Sequence, residues 1–436
     1  MTVHRAREIW FTRRSRTGFE FVALTDAAIA VDHGGKILAV GDAQDIQTKF
    51  SGASFLDHKD AILCPGFIDA HLHCPQLDVI GSGGLPLLGW LEEYVFPAEA
   101  KFAERSVSRA GAGRLVRELK RHGVTTSAVF SSVHASACDE LFSEFDQAGL
   151  RLVSGKTSMD LGAPHNLVQP VETDIEDQQA LIAKWHGKSD RLFYAITPRF
   201  ALSCSKKMMA ALGRLKENHP SCFVQTHIAE TTDEVEGVKA AWPESRDYLA
   251  VYEDHGLLGA KTLLAHGIYL SHAELNRIAL TGSTIVHCPT SNSFLGSGLF
   301  NLQRAIGSGA KVCLASDIGA GTGLSPWQTM LESYKVHALQ GINLTADQLL
   351  YRSTLAGAES LGLGDVCGSL EVGKYADFVV VNPSRNLLLG ERLSVTKNPL
   401  ERLFACMTYG DDRMIESTYV AGVQVYSQMD HEHFAG

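Results

Sequence analysis

Two histidines one residue apart, His71 and His73, lie in the stretch PGFIDAHLHCPQ (65–76). In an extended strand, side chains two apart share a face, so both imidazoles project to one side at the strand's end. That spacing lets two rings grip one metal ion. Alone, an HxH pair says little, but three later strand-like segments also end in suitable donors: His227, His266 and Asp317. His71, His73, His227 and Asp317 would offer three imidazoles and a carboxylate to a divalent ion, with a position left open for water. Such an ion lowers the pKa of its bound water toward about 7, which makes hydrolysis feasible at neutral pH. A single histidine is more readily explained as a buried, hydrogen-bonded residue. Donors gathered at successive strand ends are not.

The elements that would position these groups follow from the pattern of apolar runs. Strand-like segments cover 61–73, 125–130, 151–160, 192–200, 222–230, 262–270, 283–292 and 311–320. Amphipathic runs such as 106–123 and 205–220 lie between them. Near-continuous apolar strands alternating with helices predict an α/β fold, a TIM-like barrel of eight parallel strands. Each strand carries its polar groups at the C-terminal end, including Lys156, Arg199, Glu230 and Asn292, which is the active face of such barrels. The flanks read differently. Residues 27–42 form two β runs around His33-Gly34-Gly35, a hairpin signal, and 376–384 and 418–427 are further β runs. The two ends are expected to pair as a small β-sandwich domain of 1–64 plus 372–436, beside a hydrolase barrel of 65–371.

Composition excludes other classes. With 45% hydrophobic and 20% charged residues, the 436-residue chain should fold as a soluble globule. A formal net charge of −10 argues against nucleic acid or an anionic membrane as partner. No segment reaches the roughly 18 uninterrupted apolar residues needed to span a bilayer. The N-terminus lacks the apolar core of a secretory signal. The nine scattered cysteines form no CxxC pair and sit mostly in apolar segments, which fits a reducing cytoplasm. Neither GSGG (81–84) nor GAGTG (319–323) precedes a helix as a phosphate-binding loop requires, so both read as active-site loops.

PGFIDAHLH, QTHIAE, LLAHG and LASDIGAG, with GSLEVGKYADFVVV near the C-terminus, resemble the metal-dependent amidohydrolase superfamily over nearly the whole chain. The resemblance implies a distorted barrel with HxH after the first strand, His after the fifth and sixth, and Asp after the eighth. Binuclear members carry a carboxylated lysine at the end of strand four. Here that strand ends in Thr197-Pro198-Arg199-Phe200, and Lys156 comes one strand too early, so one ion is expected. Zinc is the default, and iron can serve similar sites. In ring-deaminating members His266 would orient the attacking water or the developing oxyanion instead of binding metal. Glu230, three residues after His227, could shuttle protons between water and a ring nitrogen. Asp317 could accept a proton while remaining a ligand.

A narrower likeness lies in HLHCPQ, LPLLGWLEEYVFPAEAKF, TPRFALSC, HCPTSNSFLGSG and SDIGAGTGLSPWQTM, which are similar to the guanine deaminase family. It implies hydrolysis of guanine to xanthine and ammonia in purine catabolism, and a homodimer. Arg199 would donate to the O6 carbonyl, Gln76 would bond a ring edge and Phe200 would wall the base. His227 and Glu230 would also touch the substrate. The same metal core would serve a deaminase or dechlorinase of another purine, a pterin or a triazine. A non-catalytic scaffold is the alternative from outside enzymology, and retention of all the donors argues against it.

Overall fold

The computed structural model describes residues 1–429. The last seven residues of the expected β-sandwich domain lie outside the described residues. From the N-terminus come β1 (Thr2–Ser15), β2 (Gly18–Val31), β3 (Ile37–Asp42), β4 (Ser54–Asp57) and β5 (Ile62–Pro65). The central strands are β6 (Phe67–His73), β7 (Val124–Phe130), β8 (Arg151–Gly155), β9 (Thr157–Ser158), β10 (Leu192–Pro198) and β11 (Phe223–Ile228). They continue with β12 (Thr262–His266), β13 (Thr284–His287) and β14 (Lys311–Leu314). The chain ends in β15 (Phe378–Val381), β16 (Ile415–Val420) and β17 (Val423–Ser427).

Strands β6, β7, β8, β10, β11, β12, β13 and β14 pair in parallel in chain order, with β9 added to β10. The eighth strand meets the first just beyond its own end, where Asp317 N–H donates to His71 O at 2.9 Å and His73 N–H donates to Ile318 O at 2.9 Å. The barrel therefore closes where the candidate ligands sit. Alternation explains its two cores. Ala70, Ala128, Val153, Ala195, Phe223, Leu263, Val286 and Cys313 fill the interior, with the Ala358–Leu363 region beneath them. Val129, Leu152, Tyr194, Val224, Leu264 and Val312 face outward against the helices.

The expected strand 61–73 divides at Pro65-Gly66. Its first half, β5, pairs with β1 and β15 in the flanking sheet, and its second half enters the barrel. A Cβ on Gly66 would sit 2.3 Å from Thr125 Oγ1, so only glycine lets the chain cross there. In the flanking sheet, segments from both ends of the chain pair in the order β17-β16-β15-β5-β1-β2-β3. Ile9, Ile29 and Val31 share an apolar cluster with Phe378 and Val380.

A buried ion pair ties the two sheets. The Arg151 guanidinium on β8 contacts the Asp377 carboxylate just before β15, with both side chains 1% exposed. Asp377 also accepts the Ala421 N–H at 2.7 Å. Arg151→Met should leave that carboxylate buried beside an apolar group and cost about 3–5 kcal/mol. Denaturant unfolding should show the loss as a lower midpoint with unchanged slope. No helix among the described residues is long and apolar enough to cross a membrane. All nine cysteines are free and buried.

Candidate active site

The barrel mouth is built by local departures from regular strand. On β6 the pairing with β7 slips between Asp69 and Leu72. The extra residue changes the phase of the strand. Ile68 before the slip and Ala70 within it face the interior, whereas Leu72 joins the outer core after it. His71 and His73 are thereby turned into the mouth. On β11 no such device is needed, because His227 keeps the inward phase of Phe223 and Gln225. Arg199, beyond β10, keeps the phase of Ala195 and Thr197. His266 and Asp317 have left-handed backbones, with φ of 69° and 50°, as does Ala229 at 50°. Non-glycine residues adopt that region at a cost, and three of them gathered at one mouth mark backbone bent to aim side chains.

The donors converge. The Nε2 atoms of His73 and His227 are 3.1 Å apart. Asp317 Oδ1 lies 3.2 Å from His71 Nε2 and 3.3 Å from His73 Nε2. Donor atoms of His71, His73 and His227 all fall within 4.8 Å of one another. Despite its closeness to Asp317, His71 Nε2 is buried without an aligned hydrogen bond. These donor atoms crowd around one point. His227 Nδ1 donates to Arg199 O at 2.6 Å, which leaves its Nε2 as a bare lone pair turned to that point. Asp69 holds the closing loop by accepting bonds from Ser316 N–H, at 3.0 Å, and Ser316 Oγ–H.

Protonation states suit metal binding. Burial pushes His71 down to about 4, against the pull of Asp317. Burial and neighbouring imidazoles hold His227 well below its ordinary value. Burial alone would raise the Asp317 carboxyl, but the His71 and His73 side chains at its oxygens hold it well below the usual range. Neutral His71 and His227 beside an ionised Asp317 are the ligand forms a divalent ion needs, so the set fits such an ion. Cys288 was not foreseen. Its sulfur clusters with His71, His266 and Asp317. Burial drives its thiol well above the ordinary value and its S–H points to Val286 O, so it is a poor ligand. Lys156 is fully buried, and its ammonium pairs with Asp174 away from the cluster.

Glu230 stands across the cluster. One carboxylate oxygen lies 3.5 Å from His266 Nε2, and the other accepts from Ser297 Oγ at 2.8 Å. It lies just outside the helix that follows and does not cap it. The helix there is Thr232–Ala241, and Thr231 with Glu234 forms its capping box. Burial raises the Glu230 carboxyl to about 7, which suits a group that must both take and give a proton. His266 Nδ1 faces Asn292 Oδ1 at 2.9 Å, and its Nε2 lies 3.8 Å from Asp317 Oδ2.

A cavity opens onto this cluster. Gln76, Arg199, Phe200 and Glu234, with the apolar Leu87, Trp90, Leu91, Leu295 and Ala320, form its remaining walls. The stretch 87–100 is helical throughout, with a π-helical turn at Leu91–Val95. It sets Trp90 as a pocket wall. An amidohydrolase family model matches residues 62–425, which span the barrel together with β5, β15, β16 and part of β17. The chain belongs to the amidohydrolase family.

Among amidohydrolases, the chain is 42% identical over 372 residues to the guanine deaminase of Escherichia coli (strain K12), covering 85% of this chain and 84% of that one. A solved structure of the E. coli guanine deaminase superposes with a TM-score of 0.93 at 37% identity, over 98% of this chain and 99% of that one. The guanine deaminase of C. acetobutylicum, solved with guanine in its active site, gives a TM-score of 0.90 at 33% identity. It covers 98% of this chain and 100% of that one. Several polar residues of this amidohydrolase's site carry no signal in the sequence, among them Glu234 in the cavity lining, Ser297 beside Glu230, and Glu99. Glu99, 1% exposed, sits behind Gln76 and Arg199. It lies inside a helical segment far from any strand end, where spacing carries no signal.

Proposed function

We infer that this chain hydrolyses guanine to xanthine and ammonia. The observation that carries the reading is one cavity whose lining combines the candidate ligands His73, His227 and Asp317 and the proton carriers Glu230 and His266 with Gln76, Arg199 and Phe200. His71 joins His73 and His227 in one donor cluster, and His266 and Asp317 in another. The relatives named as guanine deaminases support the same substrate.

His71, His73, His227 and Asp317 would hold a single ion, which we take to be zinc, and when bound it would supply Lewis acidity and an acidified water. The protein's own groups do the rest. Arg199 donates to O6 and Gln76 bonds the adjoining ring edge, which turns C2 toward the metal cluster. Phe200 walls the flat face, while Leu87, Trp90 and Leu91 exclude bulk water. Glu230 takes a proton from the attacking water and delivers it to N3. His266, held by Asn292, bonds the oxygen arriving at C2. The proton of the hydroxyl formed at C2 then passes by way of Asp317 or Glu230 to the amino nitrogen, the C2–N bond breaks as C2=O forms, and ammonia leaves xanthine behind.

The test is ammonia release from a panel holding guanine, 2,6-diaminopurine, an 8-oxopurine, a pterin and a triazine. Guanine should lead 2,6-diaminopurine by about 10⁴-fold in kcat/KM, because the wrong edge leaves buried polar groups unpaired. Negligible turnover of guanine beside fast turnover of another ring would end this reading.

A further inference from the structure

Both oxygens of the Glu99 carboxylate are used, and each touches a different pocket residue. Gln76 Nε2 donates to Oε1 at 3.0 Å, and an Arg199 Nη1–H donates to Oε2. All three residues are at most 3% exposed. Gln76 and Arg199 line the cavity, and Glu99 stands behind them. The Phe96 ring lies 5.5 Å from the Arg199 guanidinium carbon and limits its swing. Across the cavity rim, a Cβ on Gly319 would come 2.6 Å from Gln76 Cβ, so the loop after β14 packs hard on that side chain.

A carboxylate beside a guanidinium can only accept hydrogen bonds. The Gln76 atom it touches must therefore be the amide nitrogen, and the carbonyl Oε1 is left for the ligand. Arg199 presents only donors. The pocket offers an acceptor next to a donor, in an order Gln76 could not choose by itself, since an amide fits either way round.

We propose that Glu99 is a positioning residue that fixes the Gln76 amide and thereby selects a base edge with a carbonyl beside a ring N–H, a lactam, over the isosteric amino-substituted amidine. The proposal rests on the function inferred above and names the determinant of its selectivity. Guanine places O6 against Arg199 and N1–H against Gln76 Oε1. In 2,6-diaminopurine, which keeps the same 2-amino leaving group, a 6-amino donor meets Arg199 and a bare N1 meets Oε1. Both contacts become repulsive.

The experiment compares the parent with Glu99→Gln and with a double variant that combines Glu99→Gln and Gln76→Glu. In Glu99→Gln the new amide accepts from Arg199 and donates to residue 76, so Gln76 must turn its NH2 into the cavity. Guanine binding to metal-stripped protein, followed by calorimetry, should weaken by about 10–100-fold, and the guanine to 2,6-diaminopurine ratio of kcat/KM should fall by about 10²-fold. In the double variant the carboxylate now at position 76 accepts from the amide at position 99 and again offers an acceptor to the ligand. Its ratio should return to within about tenfold of the parent's, a recovery that restored packing alone would not produce. A folded Glu99→Gln protein whose guanine affinity and ratio stay within about threefold of the parent's overturns the proposal. Should Glu99→Gln fail to fold, the double variant, which keeps the carboxylate charge, decides alone, and a ratio as low as that expected of the single variant overturns it. A parent that releases no ammonia from guanine refutes the function itself, an outcome separate from either.

Discussion

Glu230→Gln should keep its metal and its fold yet lose at least about 10³-fold in kcat. The substitution is isosteric, and Ser297 Oγ can still donate to the amide oxygen as it does to the carboxylate at 2.8 Å. What vanishes is a site that can hold a proton. The parent group is a carboxyl that burial raises to about 7, with Asp317 adding to the rise and His266 opposing it. A bound cation favours the ionised form, so the acid limb of kcat/KM should lie below about 7 in the holoenzyme and disappear in the variant. KM should change little, because ring-edge recognition is assigned to Gln76 and Arg199. The measurement pairs steady-state ammonia release with metal analysis of the same sample. Near-parental turnover would assign the proton transfers elsewhere, and loss of the ion would make Glu230 a structural support.

Much of this site was legible because barrel chemistry collects at strand ends. His71, His73, His227, Glu230, His266 and Asp317 each follow an apolar run, and the structure gathers all six at one mouth. Spacing did not foretell how they are aimed. An HxH pair reads as two side chains on one face of regular strand, yet the slip between Asp69 and Leu72 sets which face that is. His266 would follow the wrong alternation were its φ not 69°. A register slip or a left-handed residue depends on what the neighbouring strand and loop require, and neither writes a local motif. Glu99 shows the other limit. It sits in Phe96–Ala100, a short helix after a π-turn, and its meaning comes from the Gln76 and Arg199 side chains it meets across the fold. The division at Pro65-Gly66 was visible as residues but not as a handover between two sheets, since 61–73 reads as one continuous apolar run.

Stripping the ion with a chelator should abolish ammonia release from guanine, and stoichiometric zinc should restore it. The cluster is already poised for capture. His71 is pushed down to about 4 by burial, and Asp317 is ionised because the neighbouring imidazoles outweigh its burial. Protons therefore compete weakly at neutral pH, and the ion should be retained until acidification approaches the depressed histidine range. The donors come from β6, β11 and the loop after β14, so an ion that binds them binds only the closed barrel. Ligation at about 1,000 times Kd adds about 4 kcal/mol to the folded state, and the chelated protein should melt at a correspondingly lower temperature. His227→Ala should reproduce both effects and resist rescue, because it removes the imidazole that Arg199 O holds with its lone pair turned inward. Metal content, melting temperature and turnover should fall and recover together. Full turnover in protein with no detectable metal would refute the assignment of these residues as ligands, whatever the substrate proves to be.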